Sequence, residues 1–240
     1  MQTKQLNDRS KMYYSPNPEN NVFSLTVRYG AGTREFPKLG IAANLMNNAG
    51  IMGTYEPQQL KEELSKLNAT CHVSADDDYL YVTMRGYEET LPQACQLLAR
   101  QILMPKLDDK QLSRIKGSML GTRQQRKENV ALLADALFQY IRYQNKSDYI
   151  EELTDKEVYE LQISELTGDI NRASNYEAEI FYCGTLPFDN AYEILSKNLP
   201  LVANERPTTS PQDKPLAQVT ENTVYFLPNS DAEQAQVYLY

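Results

Sequence analysis

Between residues 70 and 85 the chain alternates apolar and polar side chains on both sides of a short acidic turn, a pattern that favours a single hairpin register. Pairing Ala75 with Leu80 around Asp76, Asp77, Asp78 and Tyr79 puts Cys71, Val73 and Ala75 on the same face as Leu80, Val82 and Met84. A slip of one residue would mix apolar with polar on both faces, so the chain must build a sheet here with one buried and one wetted surface. Residues 22–29 repeat the pattern, with Phe23, Leu25, Val27 and Tyr29 on one face and Ser24, Thr26 and Arg28 on the other, until Gly30 and Gly32 end the run. A shorter strand, residues 11–14, precedes a turn through Pro16, Asn17, Pro18 and Asn20.

Helical spacing fills the intervals. A helix is expected over residues 40–52, stopped by Gly53, and another over 56–67, where Leu60, Leu64 and Leu67 share a face. Residues 88–103 turn Leu91, Ala94, Leu98 and Ile102 inward and end at Pro105. Residues 108–143 form a long helical stretch, broken near Glu128 and Asn129, with one stripe of Leu112, Ile115 and Met119 and a second of Leu133, Leu137 and Tyr140. Thr154 and Glu157 have the spacing of a capping box. A strand follows over 177–183 and ends at Gly184, and a helix from Pro187 carries Phe188, Ala191, Leu195 and Leu199. Residues 204–215 hold three prolines and read as a surface connection; 223–227 read as a strand, and Ala235, Val237 and Leu239 as a further strand cut off at Tyr240. Strands gathered with helices but without regular βαβ alternation imply an α+β fold: a mainly antiparallel sheet with helices packed on one face. The expected organisation is one domain over 1–215, with 216–240 supplying final strands and the start of a following domain.

Composition removes several function classes. A net charge of -8 and a pI near 4.9 argue against nucleic acid as a partner, because phosphate binding needs concentrated positive charge. No apolar run approaches the ~18 residues of a membrane span, and residues 1–9 are polar and mixed in charge, without the apolar core of an export signal. Cys71, Cys95 and Cys183 form no CxxC pair and are odd in number, so they are read as buried apolar thiols rather than as a disulfide framework or a thiolate metal site.

The stretches NVFSLTVRYGAGTRE and LGIAANLMNNAGIMGT resemble the first strand and first helix of a domain of the insulinase–pitrilysin family of zinc metallopeptidases. LSKLNATCHVSADDDYLYVTMRGYEETLPQACQLLARQILMPKLDDKQLSRIKGSML resembles the hairpin, helix and long helix that follow there, and EAEIFYCGTLP the late strand and glycine before the last helix. The resemblance spans about residues 10–228 and implies the metallohydrolase-like fold of the insulinase and mitochondrial processing peptidase type. Active domains of the family carry an inverted HxxEH motif on the first helix: two histidines bind zinc and the glutamate activates the metal-bound water. Here, aligning from Gly40 puts Ala43, Met46 and Asn47 in the His, Glu and His slots, and aligning back from Gly53 puts Asn44, Asn47 and Asn48 there. Neither register supplies an imidazole or a carboxylate, and an amide can neither hold zinc tightly nor take a proton from water. The region that resembles the source of a third ligand, TRQQRKEN, offers only Glu128.

The resemblance therefore implies a non-catalytic, chamber-forming domain of a zinc metalloendopeptidase. Zinc would be confined to the catalytic half, and the partners would be that half and a peptide substrate. A scaffold subunit without a proteolytic partner and a stand-alone peptide-binding module are the alternatives. Family resemblance also admits a periplasmic or cell-envelope setting, since bacterial members are often exported. Of the remaining candidates, His72, the sole histidine, falls on the polar hairpin face opposite Thr83, where Thr70, Ser74, Tyr81 and Arg85 are poor co-ligands. Asp76, Asp77 and Asp78 lack the alternating spacing of a calcium loop. Tyr79 and Tyr81 form a candidate contact surface on the hairpin. Arg114, Lys116, Arg123, Arg126 and Lys127 read as a solvated helix face, or, for Arg123, Arg126 and Lys127, as a basic stripe lining a peptide chamber. No Ser/His/Asp or Cys/His arrangement and no glycine-rich phosphate loop accompanies them. The purified chain is expected to carry no stoichiometric zinc by elemental analysis; an ion held tightly by its own side chains would overturn this reading.

Overall fold

The computed structural model describes residues 2–199, 206–209, 213–218, 220–228 and 237, in two compact units. One comprises Met1–Leu112 with Gln162–Ser210, and the other Ser113–Leu161 with Pro211–Tyr240. In chain order the elements are β1 (Gln2–Asn7), β2 (Ser10–Pro16), β3 (Val22–Tyr29), α1 (Leu39–Met46), β4 (Gly50–Ile51), α2 (Pro57–Lys66), β5 (Thr70–Ala75), β6 (Leu80–Tyr87), α3 (Leu91–Leu103), β7 (Pro105–Lys106), α4 (Asp109–Glu128), α5 (Val130–Tyr143), α6 (Asp148–Glu151), α7 (Asp155–Glu160), α8 (Ile163–Ala173), β8 (Ala178–Gly184) and α9 (Phe188–Asn198).

The first unit is built on a six-stranded sheet in the order β1-β2-β8-β3-β6-β5. Only β2 and β8 run parallel; the other neighbours are antiparallel. The hairpin register is the one the alternation demands, with Cys71 opposite Met84, Val73 opposite Val82 and Ala75 opposite Leu80. Period-two patterning sorts the two faces. Met12, Phe23, Leu25, Val27, Tyr29, Leu80, Val82, Met84, Ile180 and Tyr182 are buried on the inner face. Ser24, Thr26, Arg28, Phe181 and Cys183 are half-exposed on the outer one. Helices cover the inner face: α1 packs on β5 and α8, and α3 on β6 and α9. In α3 the expected Leu91, Ala94, Leu98 and Ile102 are all buried, and in α9 Ala191 and Leu195. The architecture is α+β, mainly antiparallel, with helices on one face.

Four expectations need correction. Residues 2–7, read from sequence only as polar, form edge strand β1; an edge strand wetted on both faces has no alternation to show. The first helix stops at Met46, not Met52, because Asn47 turns to hydrogen-bond β5, and Gly50 and Ile51 pair with Lys106 and Pro105. Gly53 (φ 71°) lies in the turn after β4. Helix α8 carries Leu166, Ile170 and Ala173 buried, a stripe not recognised in the sequence.

In the second unit, α4 and α5 are separated at Asn129, whose side chain accepts the Leu132 N–H at 3.2 Å and caps α5. Thr154 and Glu157 form the expected capping box on α7. The stripe Leu133, Leu137 and Tyr140 is half-buried rather than buried. The fourth correction is that Thr223, Val224, Tyr225, Phe226 and Leu227 form no strand: they join no ladder among the described residues, and Val224 and Phe226 are 91% and 84% exposed. Alternation supplies a face, but a strand also needs a neighbour. Ala235 and Leu239 lie outside the described residues.

Two contacts fix how the central strands end. Gly32 passes so close to the backbone of Asp76 and Asp77 that a Cβ there would collide with it, so glycine lets the segment after β3 cross the hairpin turn. At the far end of β8 the buried Glu88 carboxylate accepts the Tyr182 hydroxyl at 2.6 Å and the Thr185 N–H at 2.5 Å. Burial and this carboxylate together hold the Tyr182 hydroxyl protonated far above its usual range. Glu88→Ala leaves the buried Tyr182 hydroxyl without its acceptor and is expected to lower the unfolding free energy by about 1–3 kcal/mol, read from chemical denaturation.

Candidate functional site

Helix α1 places the slot residues in two environments. Ala43 and Met46 point into the core, each 1% exposed, while Asn44 faces solvent. Asn47, just past the helix, donates from Nδ2 to Val73 O at 2.9 Å and to Ala43 O at 3.3 Å, and its Oδ1 accepts the Val73 N–H at 2.8 Å. Asn48 Oδ1 accepts the Lys61 ammonium at 2.7 Å. These positions therefore hold an aliphatic group, a thioether and amides whose oxygens at Asn47 and Asn48 are already accepting hydrogen bonds. A zinc site needs several histidine, cysteine or carboxylate donors aimed at one point, and these residues do not fit it. Among the described residues no three histidine, cysteine, aspartate or glutamate side chains form a group that could hold a metal ion.

In the second unit the basic residues of α4 are held by carboxylates and carbonyls. Arg123 pairs with Asp155 at 2.5 Å and Glu152 at 3.5 Å and donates to Leu153 O. Arg126 pairs with Glu152 at 3.0 Å and lies over the Tyr149 ring, 4.6 Å from its centre. Tyr149 in turn donates to Asp135 at 2.8 Å, and that bond, more than burial, raises its pKa. Lys116 donates to Tyr159 O and Leu161 O at 2.8 and 2.7 Å. Glu128 accepts from Gln124 at 2.8 Å. Lys127, by contrast, is exposed.

Residues 12–149 match the family described as insulinase (peptidase family M16). The chain belongs to the insulinase family. No match to a curated protein is found. Among solved structures, a peptidase M16 inactive domain from Pseudomonas fluorescens superposes with a TM-score of 0.73 at 18% identity, over 89% of this chain and 53% of that one. The ferredoxin protease FusC, in complex with Arabidopsis ferredoxin, gives 0.75 at 12% identity over 87% of this chain and 23% of its own. The periplasmic protease PqqL from Escherichia coli gives 0.73 at 12% identity over 92% and 26%. At such identities the likeness is one of fold, and this chain spans between about a quarter and about half of those structures' lengths. With one histidine in its sequence, this insulinase-family chain cannot spell the inverted HxxEH motif.

The remaining candidates fall into ordinary roles. His72 is exposed opposite Thr83. Asp76 Oδ1 accepts the N–H groups of Asp78 and Tyr79 at 2.9 and 2.8 Å, and its Oδ2 the Tyr81 hydroxyl at 2.8 Å. Asp77 and Asp78 pair with Arg34 at 3.1 and 2.9 Å, so the acidic turn is a self-tied bend. Tyr79 and Tyr81 meet edge to face at 6.0 Å, and the Arg28 guanidinium lies 4.4 Å from the centre of the Tyr79 ring while pairing with Glu179. Of the three thiols only Cys95 is fully buried; Cys71 and Cys183 are half-buried, the latter on the outer sheet face. Burial pushes the thiols of Cys71 and Cys95 up to about 12 from an ordinary value of 9.0. The thiolate is the reactive form, so at pH 8 alkylation of the fully buried Cys95 in the folded chain is expected to run at least about tenfold slower than in denaturant, measured by mass spectrometry.

Proposed function

We propose that this chain is a non-catalytic, chamber-forming domain of an insulinase-family metallopeptidase, enclosing a peptide while another half or subunit supplies zinc and the chemistry. The observation that carries this reading is α1: the fold keeps the helix on which the family's zinc motif resides, yet packs its slots with buried apolar groups and hydrogen-bonded amides. Two comparisons support it. A neighbour of similar fold is itself described as an inactive domain, and another was solved with a protein bound. The chain's short span relative to these neighbours fits a domain that works as part of a larger protein. The neighbour described as periplasmic supports a setting in the periplasm or cell envelope.

Within such a chamber the basic stripe Arg123, Arg126 and Lys127 would meet acidic segments of the peptide. Because Arg123 and Arg126 already face Glu152 and Asp155, Lys127 is the member of the stripe with its charge turned to solvent. Its long-range pull on an acidic peptide is of the modest size typical of exposed charges.

The decisive experiment assays peptidase activity of the chain alone, of a catalytic insulinase-family half alone, and of the two together. We expect no turnover from this chain alone and activity in the mixture above that of the half by itself. Zinc-dependent turnover by the isolated chain would sink the proposal. Lys127→Glu in the assembled enzyme is expected to weaken an acidic peptide about two- to fivefold in KM; an unchanged KM would remove the stripe from the chamber wall.

A further inference from the structure

The sheet of the first unit has two edges, β1 and β5. An edge strand offers a row of unpaired N–H and C=O groups on which another extended segment can pair. In the antiparallel ladder with β6 the backbone groups of β5 point alternately toward and away from the partner. Val73 bonds away from β6, to Asn47, so Cys71 and Ala75 on either side of it share the open edge, and Val73 is the middle rung.

That rung is occupied. A side-chain amide carries the same donor and acceptor pair as a peptide group. Asn47 uses both, giving Nδ2 to Val73 O at 2.9 Å and taking the Val73 N–H on Oδ1 at 2.8 Å, the two bonds a neighbouring strand would make there. A bond from Nδ2 to Ala43 O at 3.3 Å ties the amide back to α1, which packs along β5. Beyond Ala75 the N–H groups of Thr33 and Arg34 donate to Asp76 O and Asp77 O at 2.8 and 3.0 Å, covering the strand's continuation into the turn.

We infer that Asn47 closes the β5 edge to strand addition: standing in for one peptide unit at the central rung, it keeps an extended peptide from pairing with this edge of the sheet. An incoming segment could reach Cys71 and Ala75 only as isolated rungs, and would have to displace two good hydrogen bonds to join them. This closure of the edge needs neither zinc nor a second half, and holds for this chain whatever it assembles with.

The test combines amide hydrogen exchange with fluorescence anisotropy of a labelled hexapeptide of alternating threonine and valine. In the unaltered 240-residue chain the Val73 amide should exchange at least about tenfold more slowly than that of Cys71; equal rates would overturn the inference without any variant having to fold. Asn47→Ala frees both groups of Val73, and Asn47→Asp keeps an acceptor for its N–H but sets a carboxylate against its carbonyl. The alanine variant, folded by circular dichroism, should bind the hexapeptide about tenfold more tightly than the unaltered chain. The aspartate variant should fall between them. Equal affinity of the unaltered and alanine proteins, with the Val73 amide exchanging freely in the variant, would equally overturn it.

Discussion

The insertion of β8 between β2 and β3 is the pairing on which the sheet depends. Strand β8 bonds in parallel to β2 over residues 10–16 and antiparallel to β3 over 24–29, so its inner residues Ala178, Ile180 and Tyr182 fill the centre of the buried face. Without it β1 and β2 would be a lone hairpin and β3, β6 and β5 a separate three-stranded piece, neither able to bury its apolar side fully. The Glu88 carboxylate anchors the end of this strand through Tyr182 and Thr185, joining β8 to the turn that starts α3. A buried acid in this role is tolerated because two hydrogen-bond donors meet its carboxylate.

On that scaffold α1 packs against β5 and α8. Ala43 and Met46 pack into the core, and Asn47 holds the helix end against the sheet. In the second unit charge is handled in the same spirit: Glu152 and Asp155 answer Arg123 and Arg126, and Lys214 answers Glu151 at 3.1 Å, so many of the ionic groups are internally matched.

What could be read from sequence follows from whether the information was local. Residues 22–29 and the hairpin of 70–87 alternate strictly, so their faces and register were legible, as were the inward residues of α3 and the break at Asn129. Strand β1 was not, since its residues lie at an edge and are largely wetted. The end of α1 was misplaced because a contact across 26 positions, from Asn47 to Val73, decides it. Residues 223–227 show the converse error, a pattern fit for pairing with no ladder to join among the described residues. At the site, the lack of metal-binding side chains could be counted directly, whereas the hydrogen bonds that employ Asn47 and Glu88 arise only from the folded topology.

The parallel β2–β8 pair also sets a timetable. Tyr13 and Glu179, which meet through a 3.0 Å hydrogen bond across these strands, are 166 positions apart. A ribosome supplying some 5–20 residues per second leaves β2 and β3 waiting on the order of ten seconds or more before β8 emerges. During that interval the inner faces of Met12, Leu25 and Val27 have no central neighbour, and the nascent chain exposes an apolar surface that binding factors can recognise. Such late closure of a sheet by a distant strand makes for slow folding, and ties the safe arrival of the first strands to the synthesis of β8.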